Sequence, residues 1–509
     1  MILTQQLAMN SSKYLTRSAF RYLGKEMNFK DLLASISRLS YLYQHELGAN
    51  VRMAYLCRNS PALLKTFFAM TNIRSVSIIM DPEAPPEEIV KWLKESQATH
   101  LAVTSDLLSR ARDILQSDHL NLPIIEIEKK NGGEYDVSYS PPPDQTPKDN
   151  DIILLLKSSG NTGKPKYCNF SHKQLMHASS ATKSHYHTGA NDRFHTTLPW
   201  SLPFAFVHSL LFPLMAGGTL VIDHGLQTVE FLDFLVESRI TRLIATPPFC
   251  LKLLMVCRNE KRVLPGIKSI TVGMGFLSHE LKKTFDLLKV NISHVYGQVE
   301  NLWTIAMQDT QNPGELPEGY VRGFSGKGIA GLKYKVMDAQ GDEVEGKGKR
   351  IGQLALAGPT VMQGYMDNEK ETKMTIRGTW LYTGDLVRLD GEGEDLTITF
   401  ICRKIDLIEM NGAPVQLNQV DIVLKKNPMA QDGAAFTVKN AKNHMIIVCA
   451  VVKKAGFAIN EKQVIDFCAA NLPSALVPKN VAFTDAIPRD IGNNVICNKL
   501  RGQFSGIGG

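Results

Sequence analysis

The sequence predicts an α/β protein with a small β-rich subdomain and an α+β C-terminal region. Three observations carry this. Short apolar runs alternate with helix-patterned segments as far as Val272. After Gly319 the texture changes to strand signals punctuated by glycine. From Lys404 onward strand and helix patterns mix again.

Met53–Cys57, Val76–Met80 and His100–Thr104 are short apolar, strand-like runs. Ala62–Thr71 and Pro86–Ser96 between them read as helices. Such alternation predicts α/β layers on a largely parallel sheet. Leu120–Pro147 is polar, with three consecutive prolines at 141–143, and reads as a surface connection. Alternation resumes through Ile152–Leu156, His172–His185, Thr219–Ile222, Arg242–Ala245 and Ser269–Val272. Leu332–Asp338, Gly352–Ala357 and Leu396–Ile401 are the strands expected in the β-rich subdomain. Met445–Val452 reads as a strand and Glu461–Asn471 as a helix.

The 509 residues suit about two to four domains. Hydrophobic residues at 44% and charged residues at 21% exclude a mainly disordered, collagen-like or disulfide-stapled chain. The net charge of +7, from 57 basic and 50 acidic residues, is too mild to argue for nucleic acid. It leaves room for phosphate-bearing ligands. The eight cysteines form no C-x-x-C pair and no zinc-like spacing. Most sit in apolar runs and read as buried small hydrophobes in a reducing compartment. Met1–Tyr14 lacks a secretory apolar core, and the C-terminus carries no prenylation or peroxisomal signal. A cytoplasmic protein is expected. Thr196–Ile222 holds no Asp, Glu, Lys or Arg and has the length of a membrane span. Pro199, Pro203 and Pro213 break it, and Gly217-Gly218 follow. The expected reading is turn, buried helix, turn and the strand Thr219–Ile222, with no membrane span.

The strongest local signal is Ser158-Ser-Gly-Asn-Thr-Gly-Lys-Pro-Lys166, which follows an apolar strand. Small hydroxyl residues and glycines let backbone N–H groups approach phosphate oxygens, and Lys164 and Lys166 add positive charge. The spacing is not that of a Walker loop. A Gly/Ser surface turn is the alternative reading. Gly326-Lys-Gly-Ile-Ala-Gly331 fits G-x-G-x-x-G, but no apolar strand leads into it and no helix pattern follows. It is assigned to turns in the β-rich subdomain.

The Ser158–Lys166 run resembles the phosphate loop of the adenylate-forming superfamily, which comprises acyl-CoA synthetases, luciferases and peptide-synthetase adenylation domains. The resemblance continues in order. Asn169–Leu175 resembles the helix start after that loop, and Gly273-Met-Gly-Phe-Leu-Ser278 the glycine strand beside adenine. Tyr296-Gly-Gln-Val-Glu300 resembles Tyr-Gly-x-Thr-Glu. Gly358–Tyr365, Tyr382-Thr-Gly-Asp385, Arg403–Gly412 and Val477-Pro-Lys…Ile487-Pro-Arg489 follow.

The resemblance implies a large N-terminal domain, 1–402, and a small mobile α+β C-terminal domain, 403–509, with a hinge near 403–406. It implies an AMP-forming acyl-CoA synthetase-like activity. A carboxylate attacks the ATP α-phosphate, then the acyl group passes to a thiol. Catalysis of this kind rests on positioning and charge neutralisation. The implied cofactors are ATP, Mg²⁺ and coenzyme A, or the phosphopantetheine of a carrier protein acting in trans. By the same resemblance, Ser158, Ser159, Gly160, Asn161, Thr162, Gly163, Lys164 and Lys166 hold the phosphates. Gly275, Tyr296 and Gly297 border adenine, and Asp385 and Arg403 meet the ribose. Glu300 helps hold Mg²⁺, a hard cation. A turn residue is the alternative reading for Asp385, and a helix cap for Glu300.

Departures bear on function. The family's lysine six residues after the closing-motif proline corresponds to Asn494. Asparagine donates hydrogen bonds but carries no charge. Losing one such electrostatic contact costs on the order of a hundredfold in rate. Lys499 is the nearest lysine, and it aligns with the tail. Val299, Tyr167, Gln353 and Cys402 replace the usual Thr, Gly, Glu and Gly. Two function classes therefore stand: an acyl-CoA synthetase with weakened adenylation, and an inactive or half-active member that binds nucleotide, acyl-adenylate or a partner protein.

Amino-acid-activating relatives carry an Asp near the position of Phe204. The absence of any acid in Thr196–Ile222 disfavours an α-ammonium and favours an apolar or aromatic carboxylate. Phe204, Phe206 and His208 are candidate pocket residues, with core residues as the alternative. Lys404–Gly509 holds 12 basic and 8 acidic residues, a net of +4. This suits coenzyme A phosphates or an acidic carrier protein, and equally a solvated surface.

Overall fold

The computed structural model describes the chain except residues 49, 128–145, 159–165, 187, 224–227, 265, 276, 278, 309–324, 405–406, 411–412, 441–444, 490–493 and 505–509. Two large sheets carry the first four hundred or so residues, and a third, smaller sheet lies beyond them.

The first sheet has six strands, in the order Ile124–Glu126, His100–Val103, Arg52–Leu56, Val76–Ile79, Ile152–Lys157 and Tyr167–Ser171. All pairs are parallel except the last, a hairpin. Its central strands are mostly apolar and buried, as in Met53–Leu56 and Ile153–Leu156, the pattern of a parallel sheet covered on both faces. Helix Pro61–Asn72 begins where the Ser60 hydroxyl accepts from the Leu63 N–H at 3.1 Å, with proline in its first turn. Its Phe67 and Phe68 are fully buried.

The second sheet changes character along its width. Ser18–Tyr22, Thr219–Ile222, Arg193–Thr196, Arg242–Ala245, Ser269–Val272 and Asn291–Tyr296 pair in parallel. Past Asn291–Tyr296 every pairing is antiparallel, through Ala306–Met307, Ser325–Gly328, Thr397–Arg403, Trp380–Asp390, Arg350–Ala357 and Lys333–Met337. The β-rich part is therefore continuous by hydrogen bonding with the parallel part. Tyr296 ends the last parallel strand. In open α/β sheets ligands gather at the carboxyl ends of such strands.

The uncharged stretch folds as expected. Pro203–Ala216 is helical, with a π-helical turn at Phe206–Leu211, and Thr219–Ile222 is a strand. Among the described residues no helix is long and apolar enough to cross a membrane. Seven of the cysteines are buried and Cys497 is half-buried; none forms a disulfide.

Beyond Lys404 the strands Ala430–Lys439, Met445–Lys453 and Asn480–Phe483 form a three-stranded sheet. One face packs on Val420, Leu424, Val464 and Cys468. The other packs on Ile487 and Leu500. Helix Glu461–Asn471 starts with a capping box between Asn460 and Gln463.

Three elements differ from the sequence reading. Ile124–Glu126 is a strand inside the segment read as a connection. Ser325–Gly328 is a strand, so the G-x-G-x-x-G match is partly strand and only then turn. Trp380–Asp390 is an eleven-residue strand hidden behind a turn-like Thr-Gly-Asp. Pairing jumps there from Gln353↔Leu386 to Ala355↔Tyr382, so Thr383, Gly384 and Asp385 bulge out of register. Gly384 supplies the left-handed φ of +78° that the bulge needs.

Candidate active site

The bulge sets Asp385. Its carboxylate accepts the Tyr296 hydroxyl at 2.5 Å, and its backbone N–H donates to the Thr383 hydroxyl at 3.1 Å. Arg403 is its cross-strand partner. A second register shift, between Leu386 and Val387, flanks it on that side. Asp385 is thus a strand residue re-aimed by two irregularities. Burial, reinforced by the Asp385 charge, holds the Tyr296 phenol well above its usual range. It therefore acts as a donor. Tyr296 and Asp385 lie on facing halves of the sheet where its character changes, and both are buried.

The glycine strand end lies alongside. Gly273 follows Val272, and a Cβ there would come within 2.6 Å of the Phe204 ring. Met274 takes a left-handed φ of +66°. The Gly275 carbonyl accepts from His294 Nε2 at 2.8 Å. Burial pushes His294 down to about 4, so the ring is neutral near pH 7 and its proton sits on Nε2. Gly273→Ala is expected to cost about 1–3 kcal/mol by overpacking against Phe204. Urea unfolding of wild type and variant measures this, and equal midpoints would disprove the contact.

Phe204 also meets His208 at 5.1 Å and Trp303 at 5.6 Å between ring centroids. His208 Nε2 donates to the Trp303 carbonyl at 3.1 Å. Phe206 points elsewhere, edge-on to Phe67 at 5.1 Å. The helix therefore separates two of the three candidate pocket residues from the third. Leu302 and Trp303 both take left-handed φ values, +58° and +55°. Non-glycine residues rarely do, and consecutive ones mark a held conformation. The turn packs the Trp303 backbone onto Gly297, where a Cβ would lie 2.4 Å from Trp303 Cα.

Burial also lowers His172 and His208 to about 4. The unfolded chain protonates these imidazoles near 6.5, before the folded one does. Their contribution is complete above pH 6.5 and is lost as pH falls toward 4. Urea midpoints are expected to drop between pH 7 and pH 4.5; a constant midpoint would contradict buried neutral histidines.

At the hairpin of Ile152–Lys157 and Tyr167–Ser171 the described arms close tightly. Ser158 N–H donates to the Lys166 carbonyl at 2.8 Å, and Lys166 N–H to the Ser158 hydroxyl at 3.3 Å. Ser159, Gly160, Asn161, Thr162, Gly163 and Lys164 lie outside the described residues. Lys166 pairs with Glu371 at 2.5 Å. Lys157, opposite Tyr167, pairs with Glu88 at 2.5 Å and sits 3.8 Å from the Trp92 ring centroid. Tyr167, in place of glycine, is buried in the cluster of Ile89, Trp92 and Leu93.

Glu300 sits on the short turn Val299–Asn301. Its carboxylate accepts the Tyr365 hydroxyl at 2.9 Å and its backbone carbonyl accepts Met362 N–H at 2.8 Å. Gln353 accepts a hydrogen bond from Lys404 Nζ at 3.1 Å.

The C-terminal region reaches this cleft through Asn494. Its Nδ2 donates to the Met274 carbonyl at 2.7 Å. The Arg489↔Val495 bridge and the bond from Ile496 N–H to the Pro488 carbonyl fix the strand ends around it. Arg489 is anchored to both carboxylate oxygens of Asp432, at 2.7 and 3.0 Å. Lys499 is exposed on helix Cys497–Gln503. Sequence reasoning missed Met274, Trp303 and Tyr365. Gly273-Met-Gly, Gly297 and the Gly358–Tyr365 motif were the signals that pointed at their neighbourhoods.

The chain resembles known proteins along its length. It is 22% identical to 4-coumarate–CoA ligase 2 of Nicotiana tabacum, over 96% of this chain and 90% of that one. It is 23% identical to feruloyl-CoA synthase of an Amycolatopsis species, over 96% of each. ATP-bound MatB from Rhodopseudomonas palustris superposes with a TM-score of 0.82 at 20% identity, covering all of both chains. O-succinylbenzoate coenzyme A synthetase of Bacillus subtilis, in complex with AMP, gives 0.82 at 19% identity, over 97% of this chain and 98% of that one. At these identities the structures establish the shared fold. The description AMP-binding enzyme matches residues 7–366, most of the chain, and the chain belongs to that family.

Proposed function

We propose that the protein is an AMP-forming ligase that joins an apolar or aromatic carboxylate to a thiol, with weakened adenylation. One observation carries the reading. Gly273–Gly275 follow the strand that pairs with the one ending at Tyr296, which bonds Asp385 opposite Arg403, and Phe204 of the Phe204–His208–Trp303 wall packs against Gly273. A polar subsite for a ribose and an apolar subsite for an acyl group thus share one backbone segment. The donor set fits a nucleotide. A buried carboxylate suits ribose hydroxyls, an arginine stands opposite it, and a tyrosine ring lies beside them. Glu300 offers a hard oxygen. Mg²⁺ bound with nucleotide phosphates characteristically takes only one or two protein carboxylates. Bound ATP would supply the activating phosphoryl group; the chain's part is to orient it and to exclude an ammonium from the apolar wall.

Curated relatives named as CoA ligases support coenzyme A as the thiol. Residues 1–402 would form the nucleotide-binding body and 403–509 a mobile cap. The +4 surplus of Lys404–Gly509 suits coenzyme A phosphates or an acidic carrier.

The test is thioester formation from ATP, coenzyme A and a panel of cinnamate-like, benzoate-like and aliphatic acids. Aromatic acids are expected to react, slowly. Reaction with α-amino acids alone would overturn the substrate class. The second reading, a half-active member, is favoured by the neutral Asn494 at Met274. It predicts no ATP-dependent product but thioester from a supplied acyl-adenylate.

A further inference from the structure

Tyr365 closes the Gly358–Tyr365 motif, to which the sequence assigns no role. Its backbone lies beside the outer arm of the hairpin of Ile152–Lys157 and Tyr167–Ser171. Asn169 N–H donates to the Gly364 carbonyl at 2.9 Å, and Gln363 N–H to the Asn169 carbonyl at 3.0 Å. Met366 N–H donates to the Tyr167 carbonyl at 2.8 Å, and Cys168 bridges to Tyr365. The same segment binds the Glu300 turn through Met362 N–H. Tyr365 N–H is held by the Thr372 hydroxyl at 2.9 Å. The side chain is thereby fixed between hairpin and turn, 7% exposed.

Beside a hydrogen bond with Thr375, that side chain has two contacts of different kinds. Its hydroxyl donates to Glu300 Oε1 at 2.9 Å. Its ring centroid lies 5.0 Å from Lys166 Nζ, whose charge is balanced by Glu371. Among the described residues Oε1 of Glu300 has this hydrogen bond and Oε2 has none. A glutamate with both oxygens free samples several rotamers. One with an oxygen pinned by a rigid phenol presents the other in a single direction.

We propose that Tyr365 is a positioning residue for the nucleotide's magnesium ion: by holding Oε1 of Glu300 it leaves Oε2 set to meet the cation. This rests on Glu300 being the cation-facing carboxylate. Removing an outer hydrogen-bond partner of a metal ligand typically weakens metal affinity on the order of 10–100-fold. Phenylalanine keeps the ring, and so the seat of Lys166, while deleting the hydroxyl.

The experiment is a thermal-shift titration of Mg²⁺ at fixed saturating ATP on wild type, Y365F, E300Q, Y365F/E300Q and E371Q. Wild type is expected to gain stability from ATP and more from Mg²⁺. Y365F is expected to need about tenfold more Mg²⁺ for half of the increment, read from its own ligand-free melting temperature. E300Q and the double variant are expected to lose the increment equally. E371Q frees Lys166 but keeps the hydroxyl, so its Mg²⁺ midpoint is expected to match wild type. A wild-type midpoint in Y365F overturns the proposal. An equal shift in E371Q also does, because the effect then belongs to hairpin packing. ATP stabilisation of wild type without any Mg²⁺ increment removes the metal role of Glu300, and the proposal with it. Absence of any ATP effect instead overturns the nucleotide reading itself.

Discussion

Asn494→Lys is expected to raise carboxylate-dependent ATP–pyrophosphate exchange by about a hundredfold or more. Asn494 already reaches the cleft, its Nδ2 2.7 Å from the Met274 carbonyl on the glycine strand end. The bidentate Arg489–Asp432 pair anchors the neighbouring arm. A longer cationic side chain at 494 therefore starts from a fixed root beside the proposed nucleotide subsite. Attack on the α-phosphate builds negative charge that an amide dipole offsets weakly and an ammonium offsets strongly. Asn494→Ala separates the two roles of the residue. It removes the hydrogen bond to Met274 without adding charge, so exchange is expected to stay at or below the wild-type level. Exchange by N494K no faster than wild type, with N494K folded, would contradict the account of weakened adenylation.

Asp385→Ala is expected to weaken AMP binding by about ten- to a hundredfold, the equivalent of one charge-assisted hydrogen bond of about 1.5–3 kcal/mol. It also removes the carboxylate that accepts the buried Tyr296 hydroxyl at 2.5 Å. The protein without ligand is therefore expected to lose about 1–3 kcal/mol of stability. Asp385→Asn separates the two effects. Its amide oxygen still accepts from Tyr296, so stability is largely kept while the charged acceptor for the ribose is lost. Nucleotide-dependent melting shifts and urea unfolding of the three proteins measure both. AMP affinity equal to wild type in both variants would remove Asp385 from the nucleotide subsite.

Much of this was legible because parallel strands buried on both faces are written as continuous apolar runs. Met53–Cys57 and His100–Thr104 each lie within a residue of the observed strand. Trp380–Asp390 escaped because its bulge puts Thr-Gly-Asp, a turn composition, in the middle of a strand. The same irregularity re-aims Asp385, so the feature that hid the strand also set the carboxylate against Tyr296. Tyr296 and Asp385 were named from motifs, but their hydrogen bond spans 89 positions and no local pattern encodes it. Lys166 shows another limit. Its pairing with Glu371, 205 positions away, is written in no local pattern. Trp303 was invisible because it depends on two consecutive left-handed residues, a conformation that Leu and Trp do not announce.

The most direct measurement is thioester formation from a synthetic aromatic acyl-adenylate and coenzyme A, with no ATP present. The account predicts thioester well above the uncatalysed rate, and a rate the same in wild type and N494K, because the missing charge serves only adenylation. No thioester above background from any aromatic or aliphatic acyl-adenylate would contradict it.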